Sequence, residues 1–139
     1  MSDQALDLKT LMNKLAAFFK TELHMDGAIF QLRAPLPGGR SQLIGATQRD
    51  SEGRTLGIFF SEIGTLNDQI NLEYLLRKNI ELGYSKIAVM DDEQGVKKVG
   101  IIAVTSMEFT SPQLCVQILE EVAKVADSLE HELFGVDIA

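Results

Sequence analysis

Ser111-Pro112-Gln113-Leu114-Cys115 opens the stretch whose reading decides the fold, and Leu133-Phe134-Gly135 closes it. Between them Cys115, Leu119, Val122, Ala126, Leu129 and Leu133 recur at spacings of 4, 3, 4, 3 and 4, one continuous stripe on a helix. Leu114, Ile118 and Val125 widen the stripe, which suits packing on a sheet better than a narrow coiled-coil seam. Ser111 can accept from an orphan amide at the helix start, Pro112 fits the first turn, and Gly135 can take the left-handed conformation that ends a helix. About 23 residues give a rod of ~35 Å, roughly the diameter of a small domain. This helix is expected to be the largest single contributor to the core.

Working outward from it, Leu8, Leu11, Met12, Leu15, Phe18, Phe19 and Leu23 mark a first helix over roughly residues 4–23, stopped by His24-Met25-Asp26-Gly27. Residues 28–34 alternate, with Ala28, Phe30, Leu32 and Ala34 on one face and Ile29, Gln31 and Arg33 on the other. A loop of two prolines and two glycines, Pro35 to Arg40, leads to a second strand over 41–49. Asp50-Ser51-Glu52-Gly53-Arg54 then reads as a hairpin connection into a third strand over 55–63. In that strand Leu56, Ile58 and Phe60 are expected on the buried face and Phe59 on the other. Asn67 and Asp68 offer a cap for a second helix near 68–82, ended by Gly83. Residues 84–90 and 98–106 are strands joined by the turn Asp91 to Gly95. The order is α-βββ-α-ββ-α, an α+β fold whose antiparallel sheet carries packed helices.

The 139 residues make one domain, 1–139, with no repeat or linker. No apolar run approaches the ~20 residues of a membrane span. Asp3 and Asp7 stand where a secretory leader would need basic residues, and one cysteine makes no internal disulfide, so cytoplasmic residence is expected. The net charge of -7 falls mostly on residues 61–139; residues 28–60 are slightly basic through Arg33, Arg40, Arg49 and Arg54. An acidic chain without a basic patch argues against nucleic acid as a partner.

The residues that could carry chemistry do not assemble into a reaction. Gly38-Gly39-Arg40-Ser41 lacks the glycine spacing and following helix of a phosphate loop. Asp91-Asp92-Glu93 fails the spacing of a calcium loop, since Gly95 falls fifth and Ile102 twelfth. His131 has only Asp127 at helical spacing, which is short of a zinc set, and reads as a surface histidine near a helix terminus. Cys115 falls on the apolar stripe and reads as packing. The expectation is therefore a non-enzyme with no catalytic residues, no metal and no cofactor.

Leu72-Glu73-Tyr74-Leu75-Leu76-Arg77-Lys78-Asn79 runs into Leu82-Gly83-Tyr84-Ser85-Lys86-Ile87-Ala88-Val89, followed by Asp91-Asp92-Glu93 and an apolar strand. Phe109-Thr110-Ser111-Pro112 then opens the long helix. This pattern, from Leu72 to Leu133, resembles the YbjN-like family, which has the type III secretion class I chaperone-like fold. The resemblance implies a small acidic α+β homodimer without a cofactor, chaperone- or adaptor-like or regulatory, that binds a partner segment on an apolar surface of the sheet and first helix. It implies partner contacts at Ile29 and Phe59, and a dimer interface at Leu75, Leu76 and Ile80. The alternatives are a small-molecule sensor or enzyme, and a roadblock- or longin-like dimeric scaffold, from which strand order would discriminate.

Overall fold

The computed structural model describes residues 6–135. Helix α1 (Leu8–Phe19) is capped by Asp7, whose carboxylate accepts from the Thr10 amide at 2.7 Å. Hydrogen bonds from Thr10 hold that carboxyl below the usual carboxylate range, as expected of an anion at a helix start. Strands β1 (His24–Asp26), β2 (Ile29–Pro35), β3 (Ser41–Ser51) and β4 (Arg54–Thr65) follow. Then come α2 (Leu72–Lys78), a 3-10 turn (Asn79–Glu81), β5 (Ser85–Asp91), β6 (Lys97–Ser106) and α3 (Pro112–Phe134).

All neighbouring strands are antiparallel in the order β1-β2-β3-β4-β6-β5. The α+β class and the packing of helices on one antiparallel sheet are as the sequence pattern indicates. Glu52 and Gly53, both at positive φ, form the tight two-residue turn that joins β3 to β4. Ser111 caps α3 through the Leu114 amide and Gly135 closes it at φ 72.

The elements depart from expectation at several places, the main ones for local reasons. Helix α1 stops at Phe19 because Lys20 adopts the left-handed conformation, with its amide donating back to Ala16 and Ala17. The released chain forms β1, a sixth strand whose three exposed residues carry no alternation to betray it. Helix α2 starts at Leu72, capped by Asn71, while Asn67 closes a turn through the Gln69 amide instead.

The core lies between the sheet and the helices. Leu11, Met12 and Leu15 of α1, Leu119, Val122 and Ala126 of α3, and Leu32, Ile44, Phe59 and Ile101 of the sheet form one buried cluster. At ~25 cal/mol per Å² removed from water, such a cluster is the main favourable term in folding. The final turn of α3 rests on β4, where the Phe134 ring occupies the space a side chain on Gly64 would need.

The acidic residues of α3 do not all face water. Asp127 is buried and pairs with Arg40, and Glu130 is fully buried. Gln42 and Ser61 form a second buried polar contact, at 3.0 Å, with the Ser61 hydroxyl passing on to the Leu43 carbonyl.

Candidate functional site: the open face of the sheet

The strand alternation that sends Leu32, Ile44, Phe59 and Ile101 toward the helices sends Ile29, Leu43, Phe60 and Ile102 to the opposite side. There a shallow cavity of about 710 Å³ lies along β2, β3, β4 and β6 and reaches the β5–β6 turn. Its lining is apolar in the middle and charged at the margins. The Phe60 ring lies across Gly45, where an added Cβ would sit 2.5 Å from the ring. The Met90 side chain lies in the same way over Gly100. Missing side chains on β3 and β6 thus let two large ones lie flat, and the surface between them stays concave.

Around this floor stand Glu62 on β4, Asp91 at the end of β5, Asp92 and Glu93 in the β5–β6 turn, and Asp26 on β1. Arg33 and Lys98 are the cations; they reach Ser41 and Thr65 at 3.4 and 3.3 Å. Asp92 Oδ1 accepts from the amides of Gln94 and Val96 and so shapes the turn. Among the described residues no cluster of histidine, cysteine and carboxylate side chains could hold a metal ion.

Ile29 lies on this open face, as its alternation requires, whereas Phe59 does not. Phe59 is fully buried against the helices, so the expected roles of Phe59 and Phe60 are exchanged. The physical reason is in the register: Ala46 and Ala103 flank Phe59 on the neighbouring strands and leave room for its ring beneath α3. Phe60 is instead flanked by Gly45 and Ile102 and occupies the open side. Ile58 is buried as expected, while Leu56 and Phe60 are only half-buried; both faces of this strand are apolar, and the small residues on the flanking strands decide which of its two phenylalanines enters the core.

Leu75, Leu76 and Ile80 separate as well. Leu75 is 3% exposed and belongs to the core of its own chain, so it cannot serve an interface. Leu76 and Ile80 are 67% and 87% exposed, and Leu72 precedes them at the same helical spacing, giving an outward apolar stripe along α2 and the 3-10 turn. The apolar stripe of α1 is spent on the core through Leu8, Leu11, Met12 and Leu15, with Phe18 left outside.

Beside the α2 stripe, the outer edge of the sheet is β5, and its exposed backbone is partly covered. The Asn79 side chain accepts from the Ile87 amide at 2.6 Å and donates to the Ile87 carbonyl at 3.3 Å, as a neighbouring strand would. Glu121 of α3 accepts from the amides of Gly83, Tyr84 and Ser85 at 3.2, 2.9 and 2.7 Å and also from the Ser85 hydroxyl. Partial burial works against its charge, yet these hydrogen bonds prevail and hold its carboxyl below the usual range. Neither role was readable from sequence, since both depend on long-range placement.

Cys115 is buried, and burial pushes its thiol up against a smaller opposing effect of the Thr110 hydroxyl at 3.1 Å. A thiol so placed is a poor nucleophile. His131 is half exposed, its Nδ1 3.1 Å from the Asp127 carbonyl, and His24 lies on the surface beside Glu22.

No protein-family model matches the chain, and no curated protein matches it. Among solved structures it is similar to YbjN of E. coli, a proposed transcription regulator, with a TM-score of 0.53 at 13% identity. The match covers 91% of this chain and 89% of that one. The chain therefore has a YbjN-like fold. No helix among the described residues is long and apolar enough to cross a membrane.

Proposed function

We propose that this chain is a non-enzymatic protein-binding module of adaptor or chaperone type, with a regulatory role, that holds a partner segment on the open face of its sheet. The observation that carries this reading is the concave and largely apolar surface around Phe60, Leu43, Ile102 and Met90, each half-buried and uncovered by any helix. Sheets with apolar residues on both faces are ordinarily covered on both, and here all the helices pack on one. A partner that laid an apolar segment over Phe60 would supply the missing layer and gain affinity chiefly from that burial. The similarity to YbjN supports a regulatory role, which an acidic chain of net charge -7 would exert by contacting proteins. In the type III secretion chaperone-like subclass, the same architecture would hold clients in extended form. We place the protein in the cytoplasm, as a homodimer joined through Leu72, Leu76 and Ile80.

The test is affinity capture from the source cells with the wild-type chain and with a Phe60→Asp, Ile102→Asp variant, each first shown to be folded by circular dichroism. A defined partner should be retained by the first bait and lost from the second. Equal recovery on both baits would remove the open face from the function.

A further inference from the structure

We infer that the segment held on the open face is a cationic amphipathic one, with apolar side chains seated over Phe60, Leu43, Ile102 and Met90 and Lys or Arg side chains directed to the margins. This rests on the protein-binding reading and adds the chemistry of the partner. The margins carry five carboxylates, Asp26, Glu62, Asp91, Asp92 and Glu93, against the two cations Arg33 and Lys98. Asp26, Glu62, Asp92 and Glu93 are in no ion pair among the described residues. Arg33 and Lys98 reach hydroxyls at 3.4 and 3.3 Å rather than these acids. Asp91, the last residue of β5, already has Lys97 at 3.7 Å, which leaves Asp92 and Glu93 as the anions on offer there.

Glu62 adjoins the apolar floor directly, because it pairs in register with Gly100, the residue over which Met90 lies. A cation there would therefore sit beside buried apolar contacts. There the attraction exceeds that between fully solvated charges. A segment with acidic residues at the same places would meet five carboxylates and gain only two partners. An anionic lipid surface or a nucleic-acid backbone meets the same repulsion.

The experiment uses the full chain, labelled for NMR, and three synthetic peptides of about nine residues. All three share the same alternating leucine and valine positions, and the residues between are lysine, serine or glutamate. The lysine peptide should shift the signals of Gly45, Phe60, Met90 and Gly100 and leave Lys124 on α3 unmoved. It should bind roughly tenfold more tightly than the glutamate peptide. That preference should shrink when salt is raised from about 0.1 M to about 1 M. A Glu62→Lys, Glu93→Lys variant should reverse the order. Equal affinity for all three peptides at the open face would overturn the charge selection while leaving the face a protein-binding surface. Tighter binding of the glutamate peptide would overturn it as well. Binding of the lysine peptide that moves only signals elsewhere would overturn both this inference and the reading on which it rests.

Discussion

Phe59 and Phe60 are adjacent in the chain and opposite in role. Phe59 is fully buried between Ala46 and Ala103 under α3, so Phe59→Ala should cost about 3–5 kcal/mol and show as a large drop in the denaturant midpoint. A loss below about 1 kcal/mol would mean that the ring is not in the core. Glu121 makes a prediction with a pH sign. Its folded-state carboxyl lies below the ordinary value of 4.5, burial opposing and the Ser85, Tyr84 and Gly83 hydrogen bonds prevailing. A depressed carboxylate contributes stability that is present above the unfolded value and lost as pH falls through the folded one. Glu121→Gln should therefore destabilise the protein at pH 7 and flatten the part of its acid limb that lies below about pH 4.5. Melting curves whose pH dependence matches that of the wild type would contradict that assignment.

At the scale of elements, the first half of the β5 edge is guarded by two side chains, Glu121 at Ser85 and Asn79 at Ile87. Asn79 closes both backbone groups of Ile87, so Asn79→Ala should leave an amide and a carbonyl without their partners and cost about 1–3 kcal/mol. Hydrogen exchange should report the site: the Ile87 amide loses protection while Ile101 on β6 keeps its own. An unchanged Ile87 rate would show that the side chain is not its partner.

The α3 helix was legible from its stripe and caps because those signals are local. Leu119, Val122, Ala126 and Leu129 are all buried as the spacing requires. Strand β1 was not legible, because His24, Met25 and Asp26 are all exposed and a strand with no buried face leaves no period. The facing of β4 was not legible either, since Phe59 and Phe60 are distinguished only by residues far away in sequence. The same limit hid Asp127 and Glu130, whose burial is set by the end of α3 at which they fall.

At the scale of the whole molecule, the helices claim one face of the sheet and leave the other open, while α2 presents Leu72, Leu76 and Ile80 at the margin. If that stripe joins two copies, sedimentation at micromolar concentration should give a dimer mass for the wild type. A Leu76→Lys, Ile80→Lys variant should give a monomer with an unchanged circular dichroism spectrum, because both side chains already face water in the single chain. A wild-type monomer would dismiss the interface. The open face is independent of that outcome. Its claim is tested most directly by placing a photo-cross-linking amino acid at Ile102 on the open face, or at Lys124 on exposed α3, in the source cells. Mass spectrometry then identifies the joined peptides. One recurrent partner segment should be joined at Ile102, absent at Lys124 and lost when Phe60→Asp is added. The same adducts from both positions, or adducts at Ile102 that survive Phe60→Asp, would contradict it.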